Sequence, residues 1–170
     1  MHEIIDKPEI EYIGGGAYPK VSPTRTHAVV QLALGIIFKR CSAGIGTVGP
    51  EWRFRLSPGT ELLPDMAFVS YERLRSLSDE DVEEPPFAPD VAVEVRSPSD
   101  KPALTEEKFR QYLSHGAVLV LDVDPRQQVI YAHSESEVKA YHREETFVSD
   151  AVPWLQFEVA EVFTDLKIPR

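Results

Sequence analysis

The chain holds one cysteine, Cys41, among 170 residues. A single thiol excludes an internal disulfide and any zinc cluster built on cysteine. Long apolar runs are missing as well. The longest, from Ala28 to Phe38, is interrupted by Gln31 and Gly35 and falls short of the roughly 20 apolar residues that cross a bilayer. The opening MHEIIDKPEI has no basic stretch followed by an apolar one, so a secretory signal is not expected and the cytoplasm is the expected compartment, with no membrane partner. Positive charge is outnumbered, 18 Lys and Arg against 28 Asp and Glu, for a formal net charge of −10. A protein that grips nucleic acid ordinarily shows a basic face, because phosphate contacts supply most non-specific affinity. Any such face here has to be local, drawn from the arginines of WRFRL or YERLR. There is no P-loop, dinucleotide fingerprint or Gly-x-Ser-x-Gly, which excludes the common phosphate-loop and serine-hydrolase designs. Gly14-Gly15-Gly16 matches no phosphate loop, and His115, His133 and His142 show no metal-ligand spacing.

What remains is an ordinary globular composition, 42% hydrophobic and 27% charged, expected to form one domain over residues 1–170. Residues 9–21 read as two short strands around the three glycines. HAVVQLALGIIFKR reads as a buried helix closed by Lys39 and Arg40 at its negative end. Residues 45–56 read as one strand running through EWRFRL, where Trp52, Phe54 and Leu56 alternate with charges. LLPDMAFVS is the next strand, followed by a short helix and an acidic, proline-rich loop. PDVAVEVRS is a strand, and PALTEEKFRQYLSHG a helix that stops at Gly116. AVLVLDV and the residues after Asp124-Pro125-Arg126 form a hairpin. The order predicts an α/β (α+β) core with a mixed sheet flanked by helices.

Two Pro-Asp pairs stand out, Pro64-Asp65 before MAFV and Pro89-Asp90 before VAVEV. Alternation sets Asp90, Ala92, Glu94 and Arg96 on one face of the second strand and Val91, Val93 and Val95 on the other. A carboxylate between valines needs a partner, because burying it alone is costly. That partner is either a cation of the protein, Arg96 or Lys108, or a divalent ion shared with Asp65 on a neighbouring strand. Asp90, four residues before Glu94, is roughly 13 Å away along the strand and reads as structural, closing a turn with backbone donors. Asp122 and Asp124 in LDVD read equally as a cation site or as a strand-end turn. Ser97-Pro98-Ser99-Asp100 reads as a turn and helix cap.

Pro-Asp, 28 residues, then Glu-Val-Arg resembles the motif that names the PD-(D/E)XK nucleases. EYIGGG, PDMAFVS, PDVAVEVRSPSD, KFRQYLSHGA, LDVDPRQQVIYAH and WLQFEVAEVF follow one another in an order similar to the Uma family of restriction-endonuclease-like proteins. The string PDVAVEVRSPSD followed by Lys-x-x-x-Tyr is the specific part, and the resemblance spans nearly the whole chain.

The resemblance implies a restriction-endonuclease-like core and Mg²⁺- or Mn²⁺-dependent hydrolysis of DNA phosphodiesters by a metal-activated water. It implies Asp65 and Glu94 as metal ligands with the Val95 carbonyl as a third, and a lysine supporting the developing charge. Where the superfamily places that lysine stands Arg96, which can stabilise a phosphate but cannot act as a base. The Uma-like branch implies Lys108, on the following helix, with Tyr112 on the same face and Gln111 beside it. A solvent-facing lysine is the plainer reading of Lys108. His27, Gln31 and Gly35 recur every fourth residue as the polar stripe of the first helix, so His27 or Gln31 is expected at the cleft in place of an acidic residue. A surface role is the plainer reading of His27. Restriction nucleases are often homodimers, and Trp154 and Phe157 could serve such an interface or belong to the core, the core being favoured. A nuclease-like module that no longer cuts, and a hydrolase of smaller phosphorylated substrates, are the alternatives. The charge of the cleft leading to Glu94 discriminates among them.

Overall fold

The computed structural model describes residues 9–170, so most of the segment that lacks a secretory signature lies outside the described residues. A six-stranded sheet forms the centre. Its strands are β3 (Gly46–Gly49), β6 (Met66–Ser70), β7 (Val91–Val95), β8 (Leu119–Asp124), β9 (Val129–His133) and β10 (Val138–His142), in the order β10-β9-β8-β7-β6-β3. Only β7 and β8 run parallel; every other neighbouring pair is antiparallel. The parallel pair needs a crossover, supplied by helix α4 (Pro102–Ser114). The sheet is therefore mixed, as the sequence predicts.

Alternation along β7 sorts the two faces. Val91, Val93 and Val95 pack with Val30, Leu34, Ile37 and Phe38 of helix α1 (Arg25–Cys41) and with Leu155, Phe157 and Val162 from the end of the chain. Ala92 and Val120 face the other way, against Phe109 and Tyr112 of α4. On that side also lies a four-stranded sheet of β1 (Ile10–Ile13), β2 (Gly16–Pro19), β4 (Phe54–Ser57) and β5 (Thr60–Leu62), in the order β2-β1-β5-β4. Small residues on this face of the central sheet, Ala67 and Ala92, leave room for the large rings opposite. The β1–β2 turn is docked by the Gly15 N–H donating to the Gly59 carbonyl at 2.9 Å. Gly59 has φ +79°, and a Cβ there would meet the Gly15 backbone at 3.1 Å, so both the backbone conformation and the close approach require glycine.

Three expectations are corrected. Residues 45–56 are not one strand. The chain leaves β3 at Gly49, turns through Pro50 and Glu51, and re-enters as β4 in the other sheet. The turn needs Glu51 at φ +52°, a conformation that costs a non-glycine residue about 1 kcal/mol or more. The acidic loop contains a helical turn, Asp79–Glu83, capped by Ser78. It is tied down by Arg55 to Asp81 and Glu84 and by Trp52 Nε1 donating to the Glu83 carbonyl. The arginines expected to form a basic patch are largely spent on such ties: Arg53 on Glu9 and Glu61, Arg73 on Asp90.

Trp154 packs on Phe38 and Phe68 and Phe157 is 3% exposed, so the closing segment is core. Among the described residues no helix is long and apolar enough to cross a membrane.

Candidate active site

The register of β6 and β7 pairs Met66 with Val93. Continued by one residue, it sets Asp65 opposite Glu94, on the α4 side of the sheet. Asp65 is 3% exposed, and each of its oxygens is assigned. Oδ2 accepts from the Val95 backbone N–H at 2.7 Å and lies 3.2 Å from His27 Nε2. Oδ1 accepts from Lys20 Nζ at 3.0 Å. Gln31 Nε2 holds the Asp65 main-chain carbonyl at 2.7 Å. Burial alone would raise the Asp65 pKa, but His27, Lys20 and the Val95 N–H hold it well below the ordinary carboxylate range. His27 is correspondingly raised, first by its hydrogen bond to Asp65. His27 and Gln31 therefore both reach the site, because α1 starts at the edge of the cleft with its Thr24 cap.

Glu94 points into the layer between sheet and helix. Its Oε1 accepts from Tyr112 Oη at 2.7 Å and pairs with Lys108 Nζ at 2.7 Å. Among the described residues no hydrogen bond falls on Oε2. Burial pushes the Glu94 carboxyl up to about 7, against the pull of Lys108, with Asp65 and Glu11 adding to the rise. Lys108 also pairs with Glu11 Oε2 at 3.0 Å. Burial disfavours its charge, but Glu94 and Glu11 outweigh that and raise its pKa. Lys108 is thus not a solvent-facing lysine: at 8% exposure it is the ammonium between two buried carboxylates. The ion-pair reading of Glu94 and the active-site reading of Lys108 describe the same contact.

Three cleft residues escape the sequence reading. Glu11 is 6% exposed and accepts from the Leu63 N–H at 2.8 Å. It shares its inward face of β1 with Ile13, so the argument that singles out Glu94, a carboxylate at an apolar position, would have found it. Lys20 and Glu51 carry no such signal, one following a proline at a strand end and the other sitting in a turn. Gln111 is a correction: its side chain bonds Glu107 Oε1 at 2.7 Å, one helical turn back, and does not line the cleft.

Arg96 lines the cleft but is committed elsewhere. Nε and Nη2 donate to the two oxygens of Asp122 at 2.8 and 2.6 Å, and Nη1 donates to Asp124 at 3.0 Å. Asp124 also closes the β8–β9 turn by accepting from the Arg126 and Gln127 N–H groups. Asp122 and Asp124 are therefore occupied by an arginine and a turn. Because a lysine lacks the planar fork, Arg96→Lys is expected to destabilise the fold by about 1 kcal/mol, a small value because Arg96 is well exposed. Urea denaturation measures it. An unchanged midpoint together with a large loss of activity would place Arg96 on the substrate instead.

Asp65, Glu94, Lys108, Glu11, Lys20 and Glu51, with His27 and Gln31, line a cleft of about 750 Å³. Glu11, Glu51, Asp65 and Glu94 face two ammonium groups there, Lys20 and Lys108, and the cluster is net negative. The excess charge and the oxygen-rich donors suit a hard divalent cation. Among the described residues no three His, Cys, Asp or Glu side chains converge as a complete metal cage. A cation held here would therefore have the two facing carboxylates, Asp65 and Glu94, as its side-chain ligands and would take the rest of its shell from other oxygens.

The arrangement of a mixed sheet, a crossover helix and paired Asp and Glu on adjacent strands defines a restriction-endonuclease-like fold. The chain superposes on the crystal structure of a "putative nuclease belonging to DUF820" from Anabaena variabilis with a TM-score of 0.82 and 20% identity, covering 94% of this chain and 92% of that one. A family profile described as "Putative restriction endonuclease", Uma2, matches residues 2–160. The chain belongs to the Uma2 family. A search of curated proteins found no match.

Proposed function

We propose that the protein is a Mg²⁺- or Mn²⁺-dependent endonuclease that hydrolyses phosphodiester bonds of DNA in the cytoplasm. The observation that carries this reading is the placement of Asp65 and Glu94 opposite each other on adjacent strands, in one net-negative cleft, with Lys108 on Glu94. Asp65 and Glu94 would hold the ion, with the Val95 carbonyl as a third ligand. When bound, a divalent cation supplies Lewis-acid stabilisation of a phosphate oxygen and acidifies an attacking water.

The chain's own residues do the rest. Val95 N–H and His27 keep the Asp65 carboxylate ionised and fixed. Tyr112 and Lys108 orient Glu94 through one oxygen and leave the other for a ligand. An ammonium has three N–H groups, and Glu94 and Glu11 account for two on Lys108, leaving one for a substrate oxygen that gains negative charge. Homodimerisation, if it accompanies cutting of both strands, would use a surface other than Trp154 and Phe157.

Plasmid nicking tests the reading. Supercoiled DNA is expected to be nicked with Mg²⁺ or Mn²⁺, with no nicking in excess chelator or in Asp65→Asn. Nicking that persists at full rate in chelator would sink it. One observation favours a second reading, a nuclease-like binding or regulatory module that no longer cuts. The whole cleft lining carries seven carboxylates against four lysine and arginine side chains, an unwelcoming entrance for a polyanion. Absence of nicking across both metals, with a folded protein, would support that module, or a hydrolase of smaller phosphorylated substrates.

A further inference from the structure

Lys20, at the end of the β1–β2 hairpin, stands on Asp65 Oδ1, the oxygen not held by His27 and the Val95 N–H. Its Nζ donates to Leu63 O at 2.6 Å, Glu51 Oε2 at 2.8 Å and Asp65 Oδ1 at 3.0 Å. Three acceptors exhaust the three N–H groups of an ammonium, so this lysine has no donor left for a substrate. The contrast with Lys108, which has one to spare, separates the roles of the two lysines. Burial disfavours the Lys20 charge, yet Asp65, Glu94, Glu51 and Glu11 outweigh it and hold the pKa above the ordinary lysine range.

The seat is built at some cost. Glu51 takes the left-handed backbone conformation noted above, and its other carboxylate oxygen is held by Gln31 Nε2 at 3.1 Å. The same Gln31 amide holds the Asp65 carbonyl. One side chain of α1 thus fixes both walls of the ammonium's seat. The Lys20 backbone is attached at the rim: its N–H donates to Glu9 O just beyond the hairpin, and Val21, Ser22 and Pro23 after it are exposed. The tether is on the surface and its charged end is in the site.

We infer that Lys20 is a built-in competitor of the divalent cation, occupying Asp65 in the metal-free protein and withdrawing when the ion binds. The inference rests on the metal reading of Asp65 and Glu94 and adds its regulation. An ion at Asp65 and an ammonium 3.0 Å from the same oxygen repel each other, so each weakens the other's hold. A ligand's apparent affinity falls by the fraction of protein competent to bind it. A seat filled by Lys20 about 90% of the time lowers metal affinity about tenfold. Withdrawal of one ammonium also keeps the net charge of the cleft from swinging by the full two units when the ion arrives.

Two measurements test the inference without reading catalysis. In calorimetric titration with Mn²⁺, Lys20→Met, which keeps the apolar stem, is expected to bind about tenfold more tightly than wild type. Lys20→Arg, which keeps the charge, is expected to stay within about threefold of wild type. In the second measurement, acetylation of Lys20 in the unaltered protein is followed by mass spectrometry. The rate is expected to rise severalfold at saturating Mg²⁺ while Lys39, exposed and outside the cleft, is unaffected. Metal binding by wild type with equal or weaker binding by Lys20→Met would overturn the inference and leave the metal reading intact. Unchanged Lys20 labelling in metal-loaded wild type would overturn it in the same way. Binding by Lys20→Met alone would support it in its strongest form. No binding by either protein would overturn both the inference and the metal reading.

Discussion

Replacing Glu94 by glutamine is expected to lower the rate of DNA nicking by about a hundredfold to a thousandfold, the range seen when one group that stabilises transition-state charge is removed. The substitution keeps the shape and the oxygen that accepts from Tyr112 and Lys108, and removes only the charge. Loss of activity in a folded Glu94→Gln protein would therefore report the electrostatic role of the carboxylate.

A pH signature accompanies it. Burial pushes Glu94 up to about 7, so a proton competes with the metal over the neutral range. Apparent metal affinity in wild type is expected to rise with pH through about 7 and then level, while in Glu94→Gln that rise is absent. The sign for stability is opposite. A carboxyl whose folded pKa lies above its unfolded value binds more protons in the native state, so its contribution is fully present below about 4.5 and is lost as pH rises through about 7. Asp65, held below the ordinary range, acts the other way: its contribution is present above its unfolded pKa and is lost as acid protonates it. Thermal melts of metal-free protein from pH 4 to 8, wild type against Glu94→Gln, separate the two. A Glu94→Gln protein that nicks at the wild-type rate would remove Glu94 from the chemistry.

Replacing Lys108 by methionine is expected to cost about 3 kcal/mol of stability, at the low end of the 3–5 kcal/mol typical when one partner of a buried ion pair is removed. Two carboxylates, Glu11 and Glu94, lose their shared cation. The cost stays at the low end because Glu94 can take up a proton and keeps Tyr112, and Glu11 keeps the Leu63 N–H. For a chain of this size the change corresponds to a fall in Tm of roughly 6–12 °C. The double variant Glu11→Leu/Lys108→Met should recover part of it, since replacing a buried ion pair by apolar groups is often neutral. Differential scanning calorimetry of the single and double variants measures the coupling. A Tm within 2 °C of wild type for Lys108→Met would mean that Lys108 is not the buried counter-ion, and its role would have to be purely that of a substrate contact.

The parts of this site legible in the sequence are those that break a local rule. Glu94 is a carboxylate between valines in an otherwise apolar strand, and Asp65 follows a proline just before an apolar strand. His27 and Gln31 interrupt the apolar helix at a four-residue period, and both reach Asp65. The strand periods and Gly116 place the central sheet and the helix that carries Lys108. Illegible parts depend on contacts distant in sequence. Lys20 meets Asp65 across 45 residues and Glu51 across 31, through a second sheet that local patterning cannot assemble. The break at Glu51 is hidden because EWRFRL alternates well as a strand and nothing in its period says that it belongs to a different sheet from GTVG. Gln111 shows the limit of helical spacing: three residues from Lys108, it is drawn instead to Glu107.

The most direct test of the central claim, that Asp65 and Glu94 together hold a divalent cation, is calorimetric titration of Mn²⁺ into wild type and Glu94→Ala, with Asp65→Asn as the second variant. The expected result is one binding event in wild type, lost or weakened at least tenfold in both variants, with proton release that grows as the pH is lowered toward 6. Equal binding in all three proteins would place the metal elsewhere. No binding in any, including Lys20→Met, would make Glu94 and Lys108 a structural ion pair and the domain a nuclease fold put to another use.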